Sequence, residues 1–428
     1  MSLVSPIGTT FQLFYQALKD QYHWSHASIS GIYGLHQFLN GAISPLVGWS
    51  LDRYGPRRTM PLGALLLGIG LALSSQITAI WQLYLTFGVV AALGVAMLQS
   101  VPNTAVISNW FIRNRGTAIG LALAGSGLGQ LWLTPATQWL ILHFGWRYTF
   151  VLTASLIAVL PTALILAFVY HKPSDKGLKP VGESEEELLT ARRQVVVVDE
   201  SWAGTVWTPA RAIRTYRFWT LAVMTLVFSF GYFLIAPQLF VLTQEFETFQ
   251  AQSIVVALII GAQGLNKGAS KFFGGLISDH LGREKTITLS VGLIVLGVLM
   301  LSLVQGSPSM WLLLVAIFLY GIGYGFCLTA MIAAYTDVFQ GPNLGAILGY
   351  LTLGGLLGGA VGTGAGGYLR DITGGYETNF FLASVAFVSS VALVWIARPG
   401  SVRVIRKLKI DLEETQKQVV LNENIASS

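Results

Sequence analysis

Apolar runs of membrane-spanning length recur along the whole chain, separated by short polar turns and by one longer polar segment. A helix that crosses a bilayer needs about 20 predominantly apolar residues, and twelve segments approach or exceed that length. The pattern therefore predicts an all-α polytopic membrane protein. The predicted spans are 1–18, 27–50, 59–75, 80–108, 116–141, 148–170, 216–243, 252–278, 286–305, 310–336, 344–368 and 377–397.

The first predicted span is the weakest of the twelve. Segment 1–18 is short and carries Thr9, Thr10, Gln12 and Gln16. Either this helix lines a polar cavity from the edge of the membrane, or the sequence starts inside a longer helix. We favour the second alternative and expect a shortened first helix.

Composition agrees with a membrane protein and excludes several classes of function. The 428 residues are 53% hydrophobic and only 11% charged, whereas soluble domains average about 25% charged residues. No nucleotide loop, metal cluster or nucleophile constellation is present in the sequence, so we expect neither an enzyme nor a cofactor. The net charge of +6 does not indicate nucleic acid, and the single cysteine, Cys327, allows no intrachain disulfide.

Basic residues are concentrated in alternate loops, which predicts the orientation in the membrane. The opposite loops hold only Lys19, Arg147 and Arg370. Both termini and the long linker are therefore predicted to be cytoplasmic, in a bacterial inner membrane or a plasma membrane. The loops on the basic side carry Arg53, Arg57, Arg58, Arg113, Arg115, Arg283 and Lys285, and the tail adds Arg403, Arg406, Lys407 and Lys409.

The sequence repeats itself once. The loop motif that begins at Gly48 and contains Asp52 returns 227 residues later, at Gly275 and Asp279, and two glycine patterns follow at offsets of 229 and 230. Two parallel helical halves with a site between them at the membrane midplane are a transporter architecture. The predicted domains are six-helix bundles at 1–170 and 216–398, a linker at 171–215 and a tail at 399–428.

Two lysines are the most informative polar residues of the predicted spans. Lys267 and Lys271 lie one helical turn apart in the eighth span, which contains no Asp or Glu before the loop motif. A charge at bilayer depth costs at least about 2.5 kcal/mol unless it faces a cavity or a partner. An anionic substrate is therefore the first hypothesis, either a dianion on both lysines or a monoanion on one.

The loop motif at 48–58 and its repeat resemble the signature of the major facilitator superfamily. The stretch 110–126 resembles the fourth-to-fifth-helix signature of the monocarboxylate transporter family, which includes the oxalate–formate antiporter branch. This resemblance implies a major facilitator fold of 12 helices. It also implies a gate in which Asp52 pairs with Arg113 or Arg115 and caps a helix end. The gating candidates are Asp52, Arg53, Arg57, Arg113, Arg115, Asp279 and Arg283.

The same resemblance suggests where a substrate would bind. Family members carry an arginine eight residues before the second loop-motif aspartate, where this chain has Lys271. Lys267 departs from the family, whose members carry Asp or Asn there, and a second family cation is absent near Leu351. Tyr320 and Tyr324 resemble an aromatic pair of the oxalate site. The substrate-binding candidates are Lys271, Lys267, Tyr320, Tyr324, Gln263, Gln99, Asn103 and Gln12.

These features favour secondary active or facilitative transport of a small mono- or dicarboxylate by rocker-switch alternating access. The expected partners are the anion, the lipid bilayer and a proton as candidate co-substrate, with no nucleic acid and a monomeric state. Uniport, symport and antiport stay open. The alternatives are a major facilitator exporter of another small solute and a non-transporting nutrient sensor on the same fold. An exporter of cations would require acidic residues in the cavity.

Overall fold

The fold is known from a computed structural model that describes most of the chain. The described residues are 26–181, 193–236, 253–306 and 309–407, with 3–4, 11, 13–14, 18 and 21–24 from the N-terminal segment. Most of the first predicted span and the end of the seventh lie outside these ranges. The orientation in the membrane and the domain limits stay predictions.

The first half of the chain is helical, with interruptions inside two predicted spans. The second span divides at Ile43 because Pro45 has no amide hydrogen for the carbonyl of Gly41. The fifth and sixth spans are continuous except at Gly145, whose φ of 80° is readily adopted only by glycine. The elements are α1 His26–Ala42, α2 Ser44–Tyr54, α3 Pro56–Ser74, α4 Ile80–Leu83, a π-helix Tyr84–Ala91, α5 Ala92–Ala96, α6 Ser100–Trp110 and α7 Arg115–Phe168.

The fourth span is broken between α5 and α6 by the sequence around Pro102. Proline leaves the carbonyl of Leu98 without its helical donor. The Asn103 side chain replaces that donor, since its Nδ2 donates to Leu98 O at 2.7 Å and to Gln99 O at 2.6 Å. Asn103 therefore stabilises a helix break, and the break places Gln99 and Ser100 at the helix end.

The described part of the second half contributes six long or medium helices, and the described part of the linker contributes short elements. Seven helices of the described chain are long and apolar enough to cross a membrane, and α7 covers two predicted spans. The linker holds a short 3₁₀ turn Pro173–Lys176, β1 Arg193–Val197, α8 Glu200–Ala203 and α9 Pro209–Ala212. The spans and tail are α10 Tyr216–Ile235, α11 Ser253–Leu281, α12 Arg283–Gly306, α13 Met310–Val338, α14 Leu344–Thr373, α15 Glu377–Ala397, a 3₁₀ turn Pro399–Ser401 and β2 Arg403–Lys407.

Glycines bring the two halves into backbone contact at the end of the molecule that contains Asp52 and Asp279, which we call the motif face. A Cβ atom on Gly48 of α2 would collide with the carbonyl of Gly345 on α14, and one on Gly275 of α11 would collide with Gly116 O on α7. The repeated glycines therefore allow close helix packing. The sequence repeat becomes two similar interfaces, α2 with α14 and α7 with α11.

The outer surface is apolar and suits a bilayer. Phe168, Leu142 and Trp311 are more than 70% exposed, which would be unfavourable in water but is favourable against lipid. The core of the first half and the core of the second half form two main clusters of buried side chains. A small third cluster joins them through Ile119 and Leu123 of α7 and Ile332 of α13.

The linker and the tail form a two-stranded ribbon against the second half. Strand β1 pairs antiparallel with β2, with Arg193 opposite Lys407 and Val197 opposite Arg403. Trp202 Nε1 donates to Val338 O at 2.9 Å, and Gly400 N donates to Glu284 Oε1 at 2.6 Å. The sequence indicated only a long polar linker, whereas residues 193–197 of it pair with residues 403–407 of the tail.

The glycine contact between α2 and α14 can be tested with one substitution. Gly48→Val would push the two helices apart at the motif face, because overpacking a tight contact costs roughly 1–3 kcal/mol. We expect a longer distance between spin labels on Arg58→Cys and Lys285→Cys, both exposed at this face, in a Cys327→Ala background. This pair is the motif-face reporter. Gly292→Val, where a Cβ meets nothing within 4 Å, is the control, and an unchanged distance in Gly48→Val would contradict the interpretation.

Candidate functional site

A cavity of about 380 Å³ lies between the two halves and contains both lysines. In the first half its wall comes from the start of α6 and from residues 123–130, in the first third of α7. In the second half it comes from α10, α11, α13 and one residue of α14. The volume is within the usual range for small-molecule sites, about 300–1,000 Å³. Its polar lining residues include Gln99, Ser126, Gln130, Thr225, Ser229, Lys267, Lys271, Tyr324 and Tyr335.

Lys271 connects the two halves across the cavity. Its Nζ donates a hydrogen bond of 2.8 Å to Ser126 Oγ on α7. Ser126 donates its own hydroxyl hydrogen to Leu123 O at 2.7 Å. A neutral hydroxyl satisfies one of the three ammonium hydrogens but cannot balance the charge. Lys271 therefore retains two donors and a net positive charge.

Lys267 has a different environment, made of aromatic faces. Its Nζ lies 5.6 Å from the ring centroid of Tyr232 and 5.9 Å from that of Tyr324. The two rings stack on each other at 4.1 Å. Cation–π contacts within about 6 Å are attractive, by up to about 2 kcal/mol when the cation is desolvated. The rings thus partly compensate the charge of Lys267.

Tyr320 and Tyr324 have separate roles, although the sequence predicted a common one. Tyr324 lines the cavity. Tyr320 is 1% exposed, is not among the cavity-lining residues, and donates its hydroxyl to Tyr232 O at 2.8 Å. Tyr320 also stacks on the Tyr232 ring at 5.4 Å. It supports the ring beneath Lys267 and does not line the cavity in this conformation, so its contact with substrate stays a prediction.

The remaining predicted binding residues divide into three groups. Gln99 lines the cavity, where Asn40 Nδ2 donates to its Oε1 at 3.4 Å. Asn103 does not line the cavity, since its amide stabilises the break before α6, and its role in binding stays a prediction. Gln12 and the side chain of Gln263 lie outside the described part of the structure.

The structure adds cavity residues that sequence reasoning missed. Ser126, the partner of Lys271, stands in the family-like stretch 110–126 but was not singled out. Gln130 is four residues later on the same helix face, and its side chain lies against Gly264, where a Cβ would be 2.9 Å from Oε1. Tyr335 and Thr225 hydrogen-bond to each other through their hydroxyls in the cavity wall. Helix spacing from Ser126 could have identified Gln130.

The motif face is closed by carboxylates that bind groups from both halves. Asp337 pairs with Arg115 of the first half at 3.2 Å and with Arg283 at 2.7 Å. Asp279 pairs with Arg283 at 2.8 Å and accepts the amides of Gly116 and Thr117 at 3.0 and 2.7 Å. These bonds cap the N-terminal end of α7 with negative charge. Breaking them is required for the halves to separate here.

Asp52 caps a helix in the other interface but has a different partner from the predicted one. Its carboxylate accepts the amides of Gly345 and Ala346 at 3.1 and 2.9 Å, at the start of α14. Its expected pairing with Arg115 is wrong, because Arg115 binds Asp337. The described ion pairs do not include Asp52. Backbone amides at a helix start attract a carboxylate without an arginine.

Arg53 and Arg57, two of the other predicted gating residues, contact groups of the first half. Arg57 donates to Leu166 O and lies 4.4 Å from the Tyr170 ring centroid. Arg53 lies over the Trp49 ring at 5.3 Å. The Arg113 backbone amide donates to Val181 O of the linker at 3.2 Å. In this closed state the described contacts of Arg53 and Arg57 fix the loop rather than bridge the halves.

Neutralising Asp337 should open the motif face. Asp337→Asn leaves the buried guanidinium groups of Arg115 and Arg283 without a shared negative charge, and removing one partner of a buried pair costs about 3–5 kcal/mol. We expect a longer motif-face reporter distance and a lower thermal unfolding temperature. Asp175→Asn, at an exposed linker position, is the control. A closed distance in Asp337→Asn would show that the ion pairs do not hold this face.

Acid should stabilise the closed motif face through Asp52, which lies beyond the predicted span 27–50. Burial raises the pKa of its carboxyl from 3.8 to about 6, although the Ala346 and Gly345 amides and Lys172 act in the opposite direction. An opened face would return this pKa towards 3.8. Protonation thus favours the closed state fully below pH 3.8, and the effect is lost as pH rises through about 6.

The measurement for Asp52 is the motif-face reporter distance at pH 7.5 and pH 5. The closed population should increase at the lower pH. Asp52→Asn carries no titrating group and should lose most of this dependence. An equal pH response in both proteins would assign the effect to another group.

Comparison with known proteins agrees with the fold and shows the family of the chain. The family model of the Major Facilitator Superfamily matches residues 2–262 and 221–421. The oxalate:formate antiporter of Oxalobacter formigenes is 23% identical over 97% of this chain and 93% of its own length. Mouse monocarboxylate transporter 11 is 27% identical over 89% of this chain and 81% of its own length.

Solved structures give the same fold. The proton:xylose symporter XylE matches with a TM-score of 0.66 over 92% of both chains, at 14% identity. This likeness, the helical model and the family match together indicate the 12-helix fold that the apolar pattern predicted. The chain is a multi-pass membrane transporter, not an enzyme, and belongs to the Major Facilitator Superfamily.

Proposed function

We propose that this transporter carries a small organic anion, a mono- or dicarboxylate, with Lys271 and Lys267 at its binding site. The observation that supports this proposal is the pair of lysines in a cavity between the halves. None of the described residues that line the cavity is Asp or Glu. A carboxylate cargo would supply the missing negative charge.

The physical argument rests on the cost of an unbalanced charge. An ammonium group within the bilayer is unfavourable by several kcal/mol unless a partner or water compensates it. The Ser126 hydroxyl is neutral, and two ammonium groups about 6 Å apart repel each other by nearly 3 kcal/mol at an effective dielectric of about 20. Binding an anion would reduce both the cost of the unbalanced charge and the repulsion between the two ammonium groups. An uncharged solute would relieve neither of them.

Alternating access would follow from the two interfaces of the motif face. In the described state the Asp279 and Asp337 network holds this face, which the loop charges predict to be cytoplasmic. Rocking of the halves around the cavity would break these bonds and open the cavity, with its two lysines, towards the motif face. The cargo can shift the equilibrium between the closed and the open motif face only to the extent that it binds one of these two states more tightly. Lys271 and Ser126 lie on opposite halves, so the affinity for a carboxylate bound between them would depend on how far apart the halves are.

The names of the relatives support a carboxylate cargo. An oxalate:formate antiporter and monocarboxylate transporters match most of this chain. Those names describe the relatives, and Lys271 is the position where the resemblance places their carboxylate-binding arginine. Lysine keeps the charge but binds as a point charge rather than as a bidentate fork. We therefore expect a carboxylate substrate here too, bound in a less restricted orientation than an arginine would impose.

The coupling mode follows from which acids are available. The described cavity lining has no carboxylate that could carry a proton into the site. Asp337 is engaged by two arginines at the motif face. Membrane carboxylates are the usual proton carriers in transporters. We therefore favour anion exchange or uniport over proton symport.

Removing the charge of Lys271 should weaken carboxylate binding and transport strongly. A hydrogen bond to a charged group contributes about 1.5–3 kcal/mol, so Lys271→Gln should lower carboxylate affinity roughly 10- to 100-fold. Lys271→Arg should keep much of it. The measurement is uptake of a panel of radiolabelled mono- and dicarboxylates into proteoliposomes, with and without the same anion inside.

The control for this experiment is Lys285→Gln, which removes a charge at an exposed motif-face position. It should leave the affinity unchanged. If Lys271→Gln transports every carboxylate as well as the unmodified protein does, the proposed site is wrong. Trans-stimulation by internal anion would distinguish exchange from uniport.

A further inference from the structure

Arg217, the second residue of α10, is a buried arginine with an unused hydrogen-bond donor. It lies at the motif face, outside the central cavity, and is only 7% exposed. Its Nε donates to the Tyr216 hydroxyl at 3.2 Å and its Nη2 to Ser401 Oγ at 2.9 Å. Its Nη1 finds no acceptor among the described residues. Because each terminal nitrogen of a guanidinium carries two hydrogens, Nη1 offers two donors to an oxygen ligand.

The positive charge of Arg217 is not balanced by a carboxylate of the described chain. Its hydroxyl partners are neutral, and the Trp202 ring, 4.2 Å from the guanidinium carbon, attracts the cation only through its π face. The nearby acids bind backbone amides instead. Asp199 accepts from Trp202 N at 2.9 Å, and Glu284 accepts from Gly400 N at 2.6 Å. An anion from outside the protein would supply the missing charge and the missing acceptor.

Three further arginines surround this position. Arg211 and Arg214 precede Arg217 at intervals of three residues, across the turn between α9 and α10, and both are exposed. Arg398 is exposed at the end of α15, and its carbonyl accepts the hydroxyl of Ser401, the residue that Arg217 also binds. We call these four residues the arginine cluster. Arginine suits phosphate oxygens, and the excess of positive charge favours a ligand with a net negative charge over a zwitterion.

Exposed aromatic residues place the arginine cluster at the level of lipid headgroups. Tyr216 and Trp219 of α10 are 57% and 56% exposed, and Trp395 of α15, which packs along α10, is 47% exposed. Tyrosine and tryptophan are enriched where a membrane meets water. Val223 continues the outward face of α10 at the i+7 position from Tyr216. This face therefore leads from the arginines to an apolar surface that suits acyl chains.

We infer that the arginine cluster binds the phosphate of an anionic phospholipid in the leaflet at the motif face. A phosphate oxygen accepts from Arg217 Nη1 after the exposed Tyr216 ring moves aside, and the acyl chains lie along α10. Because Trp202 belongs to the linker and Ser401 to the tail, the bound headgroup fastens both segments to α10. This site lies outside the cavity and does not depend on the identity of the cargo.

Lipid binding to delipidated protein in a nonionic detergent tests this inference. Native mass spectrometry follows the titration of phosphatidylglycerol or phosphatidylcholine, and thermal unfolding is measured in parallel. We expect the first phosphatidylglycerol to bind at least about fivefold more tightly than phosphatidylcholine. It should also raise the unfolding temperature, because a ligand of the folded state stabilises that state. Inorganic phosphate, which has no acyl chains, should stabilise the protein far less.

Matched variants locate the binding site. Arg217→Gln removes the charge and the Nη1 donor, so it should weaken binding of the first phosphatidylglycerol about tenfold or more, whereas Arg217→Lys should lose less. Arg214→Gln, at an exposed position, should weaken it about fivefold. The control is Arg147→Gln in a loop of the opposite end. It removes an exposed arginine that also lies over a tryptophan, Trp146, at 4.6 Å, and should change neither the lipid affinity nor its stabilising effect.

Equal affinity for the two lipids would overturn the charge argument, and unchanged phosphatidylglycerol binding in Arg217→Gln would overturn the site. If inorganic phosphate stabilises the protein as much as the lipid does, the arginine cluster binds an adventitious ion only. If Arg217→Gln does not fold, the double variant of Arg214→Gln and Arg398→Gln decides, and an unchanged affinity in it overturns the inference. Carboxylate uptake measures the proposed function separately, so either proposal can fail alone.

Discussion

The central constraint on this structure is the positive charge of Lys271 inside an apolar helix with no acidic neighbour among the described residues. The charge requires a polar surface, and close packing of α7 on α11 provides one. A Cβ on Gly120 would collide with the carbonyl of Lys271, and one on Gly268 would be 3.0 Å from the Cα of Gly127. Only because these positions lack side chains does Ser126 come within 2.8 Å of the ammonium. The glycine pattern thus sets the geometry of the lysine site.

The same two helices carry the closing network of the motif face, which couples cargo and gate physically. Asp279 lies eight residues after Lys271, about 12 Å along α11. It caps the start of α7, while Ser126 faces Lys271 farther along the same pair. A change in the separation of α7 and α11 must therefore act on both contacts. Helix α13 repeats this arrangement, since it carries Tyr324 in the cavity and Asp337 in the network. A bound carboxylate needs no separate pathway to influence the gate, because rigid helices connect the two.

Sequence periodicity and the internal repeat predicted most of the fold, since span length and glycine spacing are local properties. The structure also brings Lys271, Lys267, Tyr324 and Gln99, four of the predicted binding residues, into one cavity. Helix spacing identifies a face but not its rotation towards neighbours, so the sequence did not show that Tyr320 supports Tyr232. The amide of Asn103 binds the carbonyl of Leu98, which Pro102 leaves without its helical donor, and backbone groups have no signature in the sequence. Asp52 was given an arginine for the same reason, since its actual partners are amides at the start of α14.

The linker–tail ribbon places a further constraint on how the gate can move. Arg403 Nη1 donates to the carbonyl of Asp337 at 2.5 Å, the same residue whose carboxylate binds Arg115 and Arg283. Arg217 stacks over Trp202 at 4.2 Å and donates to Ser401 Oγ at 2.9 Å. These contacts all lie within the second half, the linker and the tail, so they would not have to break when the halves separate. They would hold the end of α13, and hence the orientation of Asp337, while the halves separate. Opening would then release Arg115 from a carboxylate that stays in place. Reclosure would return this arginine to Asp337 and the amides of Gly116 and Thr117 to Asp279.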